Sequence, residues 1–262
     1  MTPVLETKFG SIKDKMLATV LARYKCKVRI SKLPLEYQIL LPYTVSTNDK
    51  KLLYVKNSKV ACTSISHLMY QYSNGFPFEG NIHRDGIKLR HGIHHWQENL
   101  ALLQSNSTVT FSIVRHPESR CVSAFQNFFI DRSNSVAKRH FKAISAFGYH
   151  QDRSLEENFD AFLDYVQSSH ELSPYYVDRH WRAQHINLGI GTVKYTHIGK
   201  IENLNAEMEA ILDLAKIDTH KFENVRKPKR NMSSATKFSV TENQSFRIKS
   251  IFEKDFELFG YS

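Results

Sequence analysis

The sequence predicts an α/β protein in which a central, mostly parallel sheet is flanked by helices in three layers. Three apolar, β-rich runs at 52–56, 109–114 and 193–199 are each followed by a segment with helical periodicity. Strands that alternate with helices are typical of parallel sheets, and the continuous apolar run LLYVK (52–56) suits a strand that is buried on both faces. A length of 262 residues is enough for a substantial core.

The first 50 residues are more mixed in character. Residues 14–25 have the spacing of an amphipathic helix, and STNDKK (46–51) is a polar turn that precedes the first predicted strand. We therefore expect a single domain over 1–262, with residues 1–50 as an N-terminal extension packed on a core of 51–262.

Helices are predicted after each strand and at the end of the chain. The predicted segments are 63–72, 117–131, 155–167, 203–215 and 241–260. Pro117 stands in the first turn of the second segment, where proline is favoured. Thr241 and Gln244 have the spacing of a capping box at the start of the last segment.

Composition limits the class of protein and its partners. The formal charge is +10, which indicates an anionic partner. Three cysteines without a CxxC motif do not form a disulfide framework or a zinc site, so no metal is expected. No apolar run approaches the roughly 20 residues that span a bilayer, and the N-terminus lacks the apolar core of a secretory signal. We therefore expect no membrane span and a cytoplasmic protein.

The turn after the first strand is basic and rich in hydroxyl groups. Lys56 and Lys59 lie in the turn, and Thr63 and Ser64 follow at the start of the next helix. Backbone N–H groups and the positive dipole end at such a helix start bind anions, so the fold is predicted to be P-loop-like. Residues 52–74 contain no glycine, however, so the Walker pattern of ordinary ATP- and GTP-binding loops is absent. The alternative is that both lysines are solvated and Thr63 only caps the helix.

A second stretch, FSIVRHPESRCVSAFQN (111–127), also suits phosphate binding. Arg115 stands at the end of a strand, where its guanidinium can bind a phosphate with two hydrogen bonds, and Ser123 lies in the following helix. The alternative is that Arg115 is a surface residue and that Arg120 pairs with Glu118 or another neighbour.

Together these stretches resemble a known family. KVACTS (59–64) followed by VRHPESRCVSAF (114–125) resembles the two nucleotide-binding signatures of the Golgi-type carbohydrate sulfotransferases. These are the chondroitin and dermatan 4-O-sulfotransferases and, more distantly, the heparan sulfate 2-O-sulfotransferases. Three later stretches are similar to further blocks of the same family: DRHWRAQH (178–185), YTHIGKIENL (195–204) and IFEKDFELFGYS (251–262). The resemblance covers most of the chain from the first predicted strand onward.

The resemblance implies a sulfotransferase that moves a sulfuryl group from 3′-phosphoadenosine 5′-phosphosulfate (PAPS) to a carbohydrate hydroxyl. It implies that Lys59 contacts the bridging oxygen and the sulfuryl group, and that Arg115 and Ser123 bind the 3′-phosphate. The other implied residues of the 5′-phosphate site are Lys56, Ala61, Cys62, Thr63 and Ser64. The sequence departs from the family at Ser58 and Ala183, where prolines are usual.

Transfer to a hydroxyl group also needs a base, and histidine suits this near neutral pH. RHGIHHW (90–96) is the nearest equivalent of a His-Gly-His setting in the heparan sulfate 2-O-sulfotransferases. His94 and His91 are therefore the preferred candidates for the catalytic base, with His95 adjacent. The run could also be a solvated loop, and His180 is the second candidate site, for binding acceptor or cofactor.

Several expectations about partners follow. The acceptor is expected to be an acidic or neutral glycan, and no nucleic acid is expected. The alternative function is a non-catalytic basic module that binds glycan or nucleic acid. Because the family's animal members carry an N-terminal membrane anchor, we expect this chain to be a bacterial protein, the alternative being a lumenal Golgi domain that lacks its anchor.

Overall fold

A five-stranded sheet carries the fold that the sequence predicts. Its strands are β1 (Thr44–Ser46), β2 (Leu52–Val55), β3 (Arg90–His91), β4 (Val109–Val114) and β5 (His197–Lys200). Their order is β3-β1-β2-β4-β5. β2, β4 and β5 are parallel, while β1 runs antiparallel to both of its neighbours. The prediction of an α/β fold with a mostly parallel sheet flanked by helices is therefore confirmed.

The computed structural model of the protein describes residues 2–85, 90–132, 134, 136–218 and 239–262, without the side chains of 84, 85, 90 and 91. The helices of these residues are α1 (Ile12–Leu17), α2 (Ala22–Ile30), α3 (Leu35–Leu40), α4 (Cys62–Asn74), α5 (Ile82–Asp85), α6 (Trp96–Leu103), α7 (Pro117–Phe125), α8 (Lys138–Ser145), α9 (Leu155–Leu172), α10 (Gln184–Asn187), α11 (Leu204–Leu214), α12 (Glu242–Ile251) and α13 (Glu253–Phe259). Over those same stretches, no helix combines the length and the hydropathy needed to cross a membrane.

The described residues fall into two compact units. The sheet unit comprises those of 8–114 and 186–229, and the aromatic unit comprises those of 1–7, 115–185 and 230–262. The first predicted signature (59–64) lies in the sheet unit. The second (114–125) begins at Val114, the last residue of β4, and its residues from Arg115 onward belong to the aromatic unit. The single domain expected from the sequence stays a prediction.

Apolar side chains from the strands and helices form the core of the sheet unit. All four residues of β2 and all six of β4 are buried, which explains the continuous apolar runs in the sequence. Tyr54 on β2 stacks on Phe111 on β4, with ring centroids 5.1 Å apart. Met69 from α4 and Ile211 from α11 belong to the same buried cluster. This packing fixes the carboxyl ends of β2 and β4, where the predicted signatures begin.

Phenylalanines and one tryptophan form the core of the aromatic unit. The helical path of α7 continues as a π-helical turn over Gln126–Ile130, which carries Phe128 and Phe129 inward. Trp181 is fully buried, and its ring lies 5.0 Å from that of Phe128 and 5.6 Å from that of Phe162. The tryptophan of the family-like stretch DRHWRAQH (178–185) is therefore a core residue.

Two of the predicted helices are interrupted. Instead of one helix over 14–25, α1 ends at Leu17 and α2 begins at Ala22, so that the two short helices contact each other. The break lets the buried Asp14 carboxylate meet Lys27 Nζ at 3.4 Å, which a continuous helix of that length could not do. The predicted last helix is likewise divided, at Phe252, where the backbone leaves the helical region with φ −114° and ψ 22°. Its predicted capping box, from Thr241 to Gln244, is confirmed.

Candidate active site

The turn that links β2 to α4 is buried at its start and accessible at its end. Lys56, Asn57 and Ser58 are almost fully buried, whereas Lys59 and residues 61–64 are half-buried. The alternative in which Lys56 is a solvated turn residue is therefore wrong. Half-burial of Lys59 and of the following residues holds them in place while leaving part of their surface open to a ligand.

Two residues of this turn have a left-handed backbone although neither is glycine. Lys59 has φ 66°, and Ala61 has φ 46° with ψ 23°. An L-residue in this region costs about 1–2 kcal/mol, and such strain is concentrated at ligand-binding sites. The turn thus reaches, without glycine, a left-handed geometry that glycine usually supplies in tight phosphate-binding turns. The glycines of the Walker pattern are absent, but Lys59 and Ala61 adopt the left-handed backbone that glycine would adopt there.

The start of α4 is available to an anion. Ala61 is the N-cap residue of this 13-residue helix, and its side chain makes no capping hydrogen bond. The alternative in which Thr63 caps the helix is therefore wrong; its hydroxyl lies 2.8 Å from His83 Nε2 instead. Because the first N–H groups of a helix have no partner within the helix, the N–H groups at Cys62 and Thr63 and the positive dipole end can act together on a phosphate.

A buried asparagine anchors this turn to the end of β4. Asn57 Nδ2 donates to the Ile113 carbonyl at 3.2 Å, and Asn187 Nδ2 donates to Asn57 Oδ1 at 3.4 Å. Ser112 Oγ donates to the Val55 carbonyl at 2.7 Å and adds a second tie between β4 and β2. Sequence reasoning missed Asn57 as a positioning residue. A polar residue placed between a buried strand and the signature lysine is the signal that could have revealed it.

The second signature is fixed through the backbone of Arg115. Gln184 accepts from Arg115 N at 3.0 Å and donates through Nε2 to the Arg115 carbonyl at 2.8 Å. Asp255 holds Gln184 in turn, because its carboxylate accepts from Gln184 N at 2.6 Å. The side chains of Arg115 and Ser123 are half-buried. Gln184 was not identified from the sequence, although it lies in the stretch DRHWRAQH.

Arg120 is a structural residue, as the resemblance suggested. It is 2% exposed, and its guanidinium donates to the carbonyls of Arg182 and Arg179 at 2.9 and 3.0 Å. Burial lowers the pKa of Arg120 to about 10, so the group stays charged at neutral pH. Glu118, the alternative partner, accepts a hydrogen bond from Ser245 Oγ at 2.6 Å. Arg120 therefore ties α7 to the segment that carries His180.

The histidine run lies in the sheet unit, as the first signature does. The backbone of His91 belongs to β3, and its side chain is outside the described part of the chain. His94 is exposed at the end of a 3-10 turn, and His95 Nδ1 lies 3.9 Å from Glu98 Oε2. Gly92 shapes this turn: its φ is 35°, and a Cβ atom there would meet the Pro42 carbonyl oxygen at 2.1 Å. An exposed His94 on a closely packed turn is accessible to an acceptor.

A second histidine, His180, is oriented by a buried carboxylate. Asp178 is 2% exposed; its Oδ1 accepts from His180 Nδ1 at 2.6 Å, and its Oδ2 lies 3.1 Å from His140 Nε2. Burial opposes ionisation of Asp178, but these hydrogen bonds hold its pKa well below the ordinary range. Carboxylate–imidazole pairs of this kind fix the histidine tautomer so that Nε2 acts as the acceptor. Asn134 Nδ2 lies 3.4 Å from that nitrogen.

These features are typical of an α/β protein with a phosphate-binding turn between a buried strand and a helix. The model of the Sulfotransferase family matches residues 42–262. The chain therefore belongs to the Sulfotransferase family. This confirms the family expected from the sequence and the prediction of an enzyme that uses a sulfuryl donor. The roles of the individual site residues stay predictions.

Curated relatives agree with this assignment. Carbohydrate sulfotransferase 11 of Mus musculus is 25% identical over 243 residues, which is 85% of this chain and 68% of that protein. Carbohydrate sulfotransferase 14 of Danio rerio is 24% identical over 256 residues, covering 87% and 64% of the two chains. Carbohydrate sulfotransferase 12 of Mus musculus is 23% identical over 243 residues, covering 80% and 58%. No solved structure matches the chain significantly.

Proposed function

We propose that the protein transfers a sulfuryl group from PAPS to a hydroxyl group of a carbohydrate. The observation that carries this proposal is the half-buried Lys59 on a left-handed turn before the uncapped start of α4. That turn is the stretch that resembles the family's first nucleotide-binding signature. The names of the relatives, all carbohydrate sulfotransferases, support the choice of acceptor.

In this proposal the 5′-phosphosulfate binds to the first turn. Backbone N–H groups of residues 61–64 and the hydroxyl groups of Thr63 and Ser64 contact the 5′-phosphate, and Lys56 adds positive charge to the turn. Arg115 and Ser123 bind the 3′-phosphate. An arginine forms two charge-assisted hydrogen bonds with a phosphate, so this contact would select PAPS over nucleotides that lack a 3′-phosphate.

The chemical step would be an in-line displacement at sulfur. The acceptor oxygen forms a bond to sulfur while the bond from sulfur to the bridging phosphate oxygen breaks, and the electron pair leaves with 3′-phosphoadenosine 5′-phosphate. Lys59 would stabilise the charge that develops on this leaving group, since a fixed cation lowers the energy of such a transition state. Loss of the acceptor proton completes the balance.

The proton would pass to a histidine of the run at 90–96. His94 and His91 are the preferred candidates, and the side chain of His94 is exposed on a closely packed turn. His180 is the second candidate, favoured by its 2.6 Å hydrogen bond to the buried Asp178. A general base of this kind contributes about 100- to 10,000-fold to the rate.

The acceptor is proposed to be an acidic or neutral glycan rather than a nucleic acid. No metal is required in this mechanism. Vertebrate relatives give no support to the expectation of a cytoplasmic, bacterial protein. We therefore favour the alternative of a domain that works on glycans in the Golgi lumen.

The test is direct transfer from PAPS labelled in its sulfuryl group. The purified protein is incubated with desulfated chondroitin, dermatan, heparan and a neutral oligosaccharide, and labelled product is measured. Lys59→Ala should lower the rate by about 100-fold or more, because a transition-state contact is lost. Lys51→Ala, at an exposed lysine of the same unit, should leave it unchanged. Nucleotide binding without transfer to any acceptor would favour the non-catalytic module instead.

A further inference from the structure

Much of the positive charge of the protein lies in one segment of the sheet unit. Residues 8–32 contain eight lysines and arginines against one acidic residue, a net charge of +7 in a chain whose total is +10. The one acidic residue, Asp14, is 3% exposed and forms an ion pair with Lys27. Its charge is therefore withdrawn from the surface, and the segment presents cations to its surroundings.

Large apolar side chains are exposed in the same segment. Ile12, Met16 and Val20 are 78%, 70% and 75% exposed, and Leu21 is 47% exposed. The first three are spaced by four residues, which places them in one row on a helical path. That path continues beyond α1, because the Leu17 carbonyl accepts from Val20 N at 3.2 Å and from Leu21 N at 2.9 Å. A contiguous exposed apolar row of this size marks an interaction surface.

Cations border the apolar row. Lys13 and Lys15 alternate with its members on α1, and Arg23 and Lys25 follow on α2; all four are exposed. We call this set the basic–apolar surface; its members are Ile12, Lys13, Lys15, Met16, Val20, Leu21, Arg23 and Lys25. We propose that the basic–apolar surface docks on a bilayer that contains anionic lipids, with the apolar row in the headgroup region and the cations on the lipid phosphates and carboxylates.

Because the surface combines an apolar row with cations, an anionic bilayer fits it better than other anionic partners do. An acidic polysaccharide would neutralise the cations but would leave Ile12, Met16 and Val20 in water. A second copy of the chain would cover the apolar row but would bring two segments of charge +7 together, which opposes association. An anionic bilayer satisfies the apolar row and the cations at once. This docking is independent of the proposed transfer reaction.

The test is sedimentation of the full chain with vesicles of phosphatidylcholine, alone or with about one third phosphatidylserine. We expect binding to the anionic vesicles that weakens with added salt. The triple variant Ile12→Ser, Met16→Ser and Val20→Ser should bind at least tenfold more weakly. The double variant Lys13→Gln and Lys15→Gln should bind the anionic vesicles roughly 25-fold more weakly, since each juxtamembrane cation contributes about fivefold.

The matched controls are exposed residues of α13 in the other unit. Leu258→Ser and Lys254→Gln remove an exposed leucine and an exposed lysine, and both should bind the vesicles as the unmodified chain does. Unchanged circular dichroism would show that the triple variant is folded. Equal binding to neutral and anionic vesicles, or full vesicle binding by the triple variant, would overturn the proposal. Binding to a heparin column but not to vesicles would also overturn it and would point to an acidic polysaccharide.

Discussion

Replacing Ala61 with glycine should stabilise the protein, although the same change in a helix destabilises it. Ala61 is held at φ 46° and ψ 23°, where an L-residue is strained and glycine is not. Ala206 offers a matched control, because it is an exposed alanine inside α11 of the same unit. Both substitutions remove one methyl group, so the difference between them isolates the backbone conformation.

The magnitude follows from two opposing terms. Relief of the left-handed conformation at Ala61 contributes about 1–2 kcal/mol. The greater conformational freedom of glycine in the unfolded chain lowers the stability by about 0.4–1 kcal/mol. The net change for Ala61→Gly is therefore a gain of roughly 0–1.5 kcal/mol, whereas Ala206→Gly should cost about 1 kcal/mol. Ala61→Val should be the least stable of the three, because β-branched residues tolerate positive φ poorly.

Thermal unfolding followed by circular dichroism measures the effect. A change of 1 kcal/mol shifts Tm by about 2–4 °C in a chain of this size, so Ala61→Gly should melt several degrees above Ala206→Gly. Ala61→Gly should also keep its affinity for 3′-phosphoadenosine 5′-phosphate, since the N–H groups of the turn are unchanged. If both glycine variants lose the same stability, the left-handed turn before α4 is not present in the protein and the reasoning fails.

Three further predictions concern side chains of both units. Cys62 should react with iodoacetamide and be protected by 3′-phosphoadenosine 5′-phosphate. Cys121 is buried, which raises the pKa of its thiol to about 12, so it should react only on unfolding. Equal reaction of the two cysteines would contradict the placement of the turn. Asp178→Asn should cost about 3 kcal/mol. Because the pKa of Asp178 is depressed in the fold, its ionised carboxylate contributes fully to the stability above its unfolded pKa, and this contribution is lost only as the pH falls through the lower folded value. The loss of stability in Asp178→Asn should therefore persist at pH 5. A loss that vanishes at pH 5 would contradict this prediction. His94→Gln should lower kcat by about 100-fold or more, while His180→Gln should mainly raise KM; the reverse pattern would make His180 the base.

The sequence alone predicts a strand where a continuous run of residues is buried, and a helix start where the capping residues lie close together. The buried runs of β2 and β4 and the capping box at Thr241 were identified because their signals lie within a few adjacent residues. The third strand was placed at 193–199, but β5 begins at His197. Pairing with β4, which lies far away in the sequence, decides where that strand starts.

The rest of the site depends on contacts between distant segments. The left-handed conformation of Ala61 has no local signal, because alanine seldom adopts it and the usual glycine is missing. Asn57 acquires its role from Ile113 and Asn187, and Gln184 acquires its role from Arg115. Motif resemblance located the signature residues themselves. It could not locate the buried polar groups that hold them.

Recognition of the 3′-phosphate by Arg115 is measured by calorimetric titration with 3′-phosphoadenosine 5′-phosphate and with adenosine 5′-monophosphate. We expect the 3′-phosphate to strengthen binding by roughly 100-fold, because two charge-assisted hydrogen bonds from Arg115 contribute about 1.5–3 kcal/mol each before desolvation is counted. Arg115→Ala should abolish this preference, and Arg153→Ala, at an exposed arginine, should keep it. Equal binding of the two nucleotides by the unmodified chain would contradict a 3′-phosphate site at Arg115.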